Sequence, residues 1–186
     1  LYSCAFKQTR IIETEDWKEM FNVAKAFSML PLPKGNKLGI ITNGGGFGVL
    51  SVDEAEKQGV KIVKPPIAVA KYLKKKLPPH VSVHNPLDLA GDADVERYKV
   101  ALETFVKYYD GLLVIALFQL PLLNEKLADV LIKVRKTQKK PLMVCSVGTF
   151  VNKVKEKLEK NDIPVYESPK EAINAFAKMC QYQKHV

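Results

Sequence analysis

Apolar positions recur along this chain in two rhythms. Between Glu15 and Met29, the residues Trp17, Met20, Phe21, Ala24 and Phe27 return at the spacing of one helix face. Thr14 stands where an N-cap would, and Pro31-Leu-Pro-Lys-Gly-Asn36 reads as a stop and linker. Beyond the linker, short runs of Ile, Val and Leu alternate with amphipathic segments. The runs predict strands at Leu38–Thr42, Lys61–Val63, Leu112–Leu117, Leu142–Val147 and Val165–Tyr166. The segments between them predict helices near Gly48–Gln58, Ile67–Lys76, Val95–Lys107, Asn124–Thr137, Phe150–Lys160 and Pro169–Gln181. Short, wholly apolar strands fit a sheet with helices on both faces. The alternation implies right-handed crossovers and parallel pairing. The expected fold is α/β, a flavodoxin-like doubly wound parallel five-stranded sheet with an N-terminal helical extension. Residues 1–36 form the helical segment and linker, and 37–186 the sheet domain. Ligands of such sheets sit at the carboxyl ends of the strands.

One of those ends is unusual. The first strand closes in Thr42-Asn43, then Gly44, Gly45, Gly46 and Gly48 supply four of the next five residues, and a helix follows. Glycines let a ligand approach the backbone closely. The helix start adds unpaired N–H groups and a positive dipole end, so an anion such as a phosphate or an acyl group is the natural guest. A glycine turn can also serve packing alone, although this one is longer than packing requires. No Gly-Lys-Ser/Thr closes the loop as in a Walker motif, and Gly44, Gly46 and Val49 fit the dinucleotide fingerprint poorly.

Two further segments belong at strand ends. Asn85-Pro86-Leu87-Asp88-Leu89-Ala90-Gly91-Asp92-Ala93-Asp94 carries a proline that excludes helix before it, and Asp92 or Asp94 as the cap of the next helix. Turn chemistry alone accounts for this segment, and its acidic residues fix no metal geometry. The second is Ala116-Leu-Phe118-Gln119-Leu-Pro121, after a buried strand.

Composition narrows the classes. At 186 residues, 47% hydrophobic and 26% charged, the chain suits one sizeable soluble core. The apolar stretch from Gly111 to Leu123 is too short for a bilayer and includes Gln119 and Pro121. No secretory signal opens the sequence. Cys4, Cys145 and Cys180 are odd in number and widely spaced, which fits a reducing cytoplasm and an inert, buried Cys145. The net charge of +9 comes mostly from lysines spread over several helices, with only Arg10, Arg97 and Arg135 for bidentate contacts. Solvated helix faces explain that charge better than nucleic acid does. A polyanionic small ligand or an acidic partner subunit explains it equally well.

Taken in order, these loops resemble the final domain of the NDP-forming acyl-CoA synthetases, the superfamily of ADP-forming acetyl-CoA synthetase and succinyl-CoA synthetase. Thr42-Asn-Gly-Gly-Gly-Phe-Gly-Val49 resembles the family's Thr-Asn-x-Gly-Gly-x-Gly-Val, and Asn85 through Ala93 its Asn-Pro-x-Asp-x-x-Gly-Asp-Ala. Tyr2 to Gln8 is similar to the segment downstream of the family's phosphohistidine loop, and Pro31 to Asn36 to the linker before its last domain. The resemblance covers essentially the whole chain.

It implies a succinyl-CoA synthetase-like domain within an enzyme that converts acyl-CoA, phosphate and ADP to acid, CoA and ATP through an acyl phosphate and a phosphohistidine. This part would contribute the "power helix" beginning near Gly46 to Gly48. Asn43, Gly44, Gly45, Gly46, Gly48, Asn85, Asp88, Phe118 and Gln119 would face substrate or phosphate. CoA, ADP or ATP, phosphate and Mg²⁺ would be those of the complete enzyme. The partners would be CoA-binding and phosphohistidine domains and an ATP-grasp subunit or domain. Neither nucleic acid nor membrane is expected.

Some positions depart from the pattern. The histidine-bearing motif is absent, and His80, His84 and His185 are poor substitutes for it. Phe47 stands where proline is common, and Thr9-Arg10 replaces an Ala-Gly pair. Phe118-Gln119-Leu120 lacks the paired glycines of the succinate-using relatives, which favours a less polar acid. The chain alone is expected not to turn over. The alternative reading is a non-catalytic module of the same ancestry attached to a protein lysine acetyltransferase. A receiver-like domain is set aside, because Thr42-Asn43 replaces the acidic strand end that a receiver needs.

Overall fold

The computed structural model describes residues 2–148 and 151–184, with the side chains of Ser3, Cys4 and Lys7 outside the description. The helix start expected at Phe150, the histidine at 185 and the thiol of Cys4 fall outside it. In chain order the elements are α1 (Tyr2–Thr9), α2 (Trp17–Met29), β1 (Leu38–Thr42), α3 (Gly45–Lys57) and α4 (Ile67–Lys76). Then come β2 (Ser82–Val83), β3 (Leu87–Asp88), α5 (Val95–Phe105), β4 (Gly111–Leu117) and α6 (Leu127–Thr137). The chain ends with β5 (Leu142–Val147), α7 (Val151–Glu159), β6 (Val165–Tyr166) and α8 (Pro169–Gln183).

The sheet has six strands in the order β2-β3-β1-β4-β5-β6. All neighbours pair in parallel except β2, which runs antiparallel to β3 at the edge. Helices cover both faces, as expected for a doubly wound α/β fold. Leu38, Ile40, Leu113, Ile115, Met143 and Cys145 point to the face packed by α2, α3 and α8. Ile41, Leu112, Val114, Ala116, Leu142 and Val144 point to the face under α4, α5, α6 and α7. Val23, Ala26 and Leu30 of the α2 segment share the first of these cores, so α2 is built into the sheet domain's packing. Among the described residues, no helix is long and apolar enough to cross a membrane.

Six strands replace the five expected, and the difference has a local cause. Lys61–Val63 makes only an isolated bridge, Lys61 to Lys37. The middle of that β1 edge is taken by a side chain. Asn85 Oδ1 accepts from Ile40 N at 2.9 Å, and its Nδ2 donates to Leu38 O at 2.9 Å and Val63 O at 3.1 Å. One amide thus stands in for a peptide unit of a neighbouring strand. At the carboxyl end, Leu87 and Asp88 take over against Ile41 and Thr42, and Leu89 N donates to Thr42 O at 2.7 Å.

The α2 start also differs from Thr14. Asp16 is the N-cap and accepts from Glu19 N at 2.8 Å, while Glu19 Oε2 accepts from Glu15 N. Reciprocal bonds of this kind resemble a capping box and fix the boundary two residues later.

Candidate functional site

The carboxyl end of β1 leads through Asn43 into α3, whose N-cap is Gly44 with no side-chain cap. Thr42 Oγ1 accepts from Gly44 N at 2.9 Å and donates to Gly44 O at 3.0 Å. The first turn bond of α3 runs from Gly48 N to Gly44 O at 3.2 Å. The N–H groups of Gly45, Gly46 and Phe47 therefore begin the helix without intrahelical acceptors, at its positive dipole end. A Cβ added at Gly46 would meet nothing within 4 Å, so this turn opens outward. One added at Gly45 would come within 2.8 Å of Asp88 Oδ2. Glycine at 45 is thus what lets the Asp88 carboxylate lie beside the helix start.

Asn43 is buried, 2% exposed, and its amide is turned sideways. Oδ1 accepts from Leu117 N at 2.9 Å, and Nδ2 donates to Leu117 O at 3.3 Å. The side chain ties the end of β1 to the end of β4 and thereby sets where α3 begins. Gly44 fits against Leu117 Cδ1 in the same junction.

Asp88 reaches the site from β3. Its Oδ1 accepts from Ala90 N at 3.0 Å, and Ala90 takes a left-handed φ of 66°. Beneath it lies Tyr98, fully buried, whose hydroxyl donates to Ile115 O at 2.7 Å. Burial, then the Asp88 charge, pushes the Tyr98 phenol well above its ordinary range, so it stays a donor. An open groove of about 400 Å³ runs from this point along α3, with Thr42, Gly45, Gly48, Val49, Pro86 and Asp88 in its walls.

The remaining expected positions divide. Gln119 is exposed beyond β4, and its Oε1 lies where a Cβ on Gly148 would be, at 2.5 Å. Gly148, with φ of 108°, permits that approach of the loops after β4 and β5. Phe118 is only 3% exposed and packs in the core. Asn85 holds the β1 edge with both amide hydrogens, so its place is architectural. His84 is exposed, whereas His80 Nε2 lies 3.1 Å from Asp92 Oδ1. Asp94, not Asp92, caps α5 by accepting from Arg97 N at 2.9 Å. Among the described residues, no group of three or more His, Cys, Asp or Glu side chains is placed to hold a metal ion.

Sequence reasoning missed Tyr98, Arg97 and Gly148. Gly148 carried a readable signal, a glycine directly after an apolar strand and before a helix. Tyr98 and Arg97 carried none, because an aromatic and an arginine on a helix usually belong to a core and a solvated face.

Comparison with known proteins bears on these loops. No family model matches the chain. The α subunit of acetate–CoA ligase [ADP-forming] II from Pyrococcus furiosus is 33% identical over 193 residues, covering 100% of this chain and 42% of the relative. This chain is homologous to the α-subunit region of the ADP-forming acyl-CoA synthetases. The 4-hydroxybutyrate–CoA ligase [ADP-forming] of Nitrosopumilus maritimus is 30% identical over 189 residues, covering 100% of the chain and 27% of that protein. Among solved structures, the apo dinucleotide-forming acetyl-coenzyme A synthetase 1 of Ca. Korarchaeum cryptofilum superposes with a TM-score of 0.90 at 31% identity. That match covers 98% of this chain and 41% of the solved one. The same synthetase is also known in complex with phosphate and ADP. The chain thus spans well under half the length of these relatives.

Proposed function

We propose that this chain serves an ADP-forming acyl-CoA synthetase as the domain that receives a phosphoryl group at the N-terminus of α3. The reaction is acyl-CoA, phosphate and ADP to acid, CoA and ATP. The observation that carries the reading is the uncapped turn of Gly45, Gly46 and Phe47, with N–H groups that lack intrahelical acceptors. Such donors stabilise oxyanions of an acyl phosphate or of a phosphorylated histidine as charge develops. Gly44 and Gly48 give the turn its shape, Asn43 holds it to β4, and Gln119 lies on the loop after β4, against Gly148.

Asp88 limits the guest. A carboxylate beside the helix start disfavours a bare anion and favours one that brings a positive or donor face. A phosphorylated imidazole is such a group, and a metal-chelated phosphate is another. Asp88 would then accept from the guest while the helix holds its oxygens. The exposed Val49 (63%) beside Pro86 and Gly48 suits a short, apolar acyl group. The phosphohistidine, CoA, ADP or ATP and Mg²⁺ fall to CoA-binding, phosphohistidine and ATP-grasp domains that act with this chain.

The test is to assemble the chain with those domains and measure ATP formed from acetyl-CoA, ADP and phosphate. Turnover that needs this chain supports the reading. An assembly that binds acetyl-CoA and forms no ATP overturns it in favour of the acetyltransferase-linked module.

A further inference from the structure

The loop that brings Asp88 to α3 is weakly held by the sheet. β3 is two residues long, and its last sheet-like bond is Leu89 N to Thr42 O. After it the chain turns through Ala90 at φ 66° and closes with Ala93 N to Ala90 O at 3.1 Å. A non-glycine residue in that conformation persists only where its surroundings hold it.

What holds it comes from α5. Arg97 Nη1 donates to Asp92 Oδ1 at 2.7 Å and Nη2 to Asp92 Oδ2 at 2.8 Å, a bidentate fork. Nη1 also donates to Leu89 O at 3.3 Å. The Arg97 side chain is 18% exposed and stands on a helix rooted by the fully buried Tyr98, Ala101, Leu102 and Phe105. Asp92 is half exposed, and besides Arg97 it meets His80; Arg97 faces Asp92 and Asp94. On the far side, Gly91 abuts Leu120 of the β4 loop. The fork thus grips both ends of the turn, Leu89 and Asp92, from a rigid helix.

We propose that Arg97, through Asp92 and Leu89, is a positioning residue that keeps the Asp88–Ala93 loop closed beside the α3 N-terminus. The assignment rests on the phosphoryl-binding reading of that site. A half-exposed pair contributes little to global stability, so its effect lies in loop order. A loop that opens part of the time lowers the binding-competent fraction and raises the apparent KM in proportion, without altering the chemical step.

The experiment uses the ATP-forming assembly with Arg97→Met, Arg97→Lys and Asp92→Asn. Arg97→Met and Asp92→Asn each raise KM for inorganic phosphate about fivefold, with kcat within about twofold. Arg97→Lys, which keeps the charge and loses the fork, falls between them and wild type. The double variant Asp92→Asn/Arg97→Met is no worse than either single change, because both break one contact. In the same proteins, amide exchange at Leu89, Ala90 and Ala93 accelerates in step with KM. Unchanged exchange at those amides, multiplicative effects in the double variant, or a fall in kcat at unchanged KM each overturn the proposal. If the wild-type assembly forms no ATP, the ligase reading fails, and amide exchange alone then decides whether the fork holds the loop.

Discussion

Replacing Asn43 by alanine separates a strut from a ligand contact. The amide makes two buried bonds to Leu117, at 2.9 Å and 3.3 Å, in a residue that is 2% exposed. Leu117 itself is 8% exposed, so Asn43→Ala strands one buried N–H, while Leu117 O keeps its bond from Leu120 N at 3.3 Å. An orphaned group of this kind costs roughly 1–3 kcal/mol, and the methyl side chain offers no replacement. The expected loss is about 2 kcal/mol, which lowers Tm by roughly 4–8 °C in a chain of this size. Thermal unfolding followed by circular dichroism reads this directly. Asn43→Asp adds a sign to the argument. Its carboxylate still accepts from Leu117 N but opposes Leu117 O, and burial raises its pKa. With a folded pKa above the unfolded one, the neutral acid is the form the fold prefers. Asn43→Asp is therefore closest to wild type below the unfolded carboxylate pKa and loses ground as pH rises. A Tm within about 2 °C of wild type for Asn43→Ala, together with a large loss of phosphoryl transfer, would refute the strut.

Other expectations follow from the same contacts. Asn85→Ala leaves Ile40 N and Leu38 O without partners on the β1 edge, while Val63 O keeps its bond from Tyr109. With about 3 kcal/mol lost and an m-value near 2 kcal/mol/M, the urea midpoint should fall by about 1.5 M; an unshifted midpoint counts against the edge role. Burial pushes the thiols of Cys145 and Cys180 up to about 12 from 9.0. At pH 8 both should alkylate about a thousandfold more slowly in the folded chain than after unfolding, read by peptide mass spectrometry. Arg97 first, then His80, hold the Asp92 carboxyl well below its ordinary 3.8. Its contribution is present above pH 3.8 and is lost only as pH falls through the lower folded value. A carboxyl carbon titration that moves near pH 4 would contradict that order.

Much of this molecule is legible in its sequence. The long strands announce themselves because runs such as Leu112–Leu117 are apolar on both faces, and a glycine cluster after Thr42-Asn43 has few other uses. What escaped were elements defined by partners rather than by pattern. The strands Ser82–Val83 and Leu87–Asp88 are two residues each, below the length at which periodicity exists. Lys61–Val63 has a strand's composition, yet the edge it would occupy is taken by the Asn85 amide. The sequence pattern marks the strand-end loops, but the direction of their side chains was not readable. Asn43, Asn85 and Phe118 are the polar and aromatic types that ligands use, and here they turn into the sheet and the core. Family resemblance marks such positions without distinguishing a contact from a brace.

The central claim is that the open first turn of α3 holds a phosphoryl group. Gly46 tests it most directly, because a Cβ added there meets nothing within 4 Å. Gly46→Asp places a fixed carboxylate at the helix start, where an anion is worth about 0.3–1 kcal/mol to the helix, while denying the spot to a phosphate. Gly46→Ala is the control of size without charge. In the ATP-forming assembly, the account predicts that Gly46→Asp melts at or above the temperature of Gly46→Ala while transferring phosphate about 10²–10³-fold more slowly. Equal transfer rates for the two variants would contradict it.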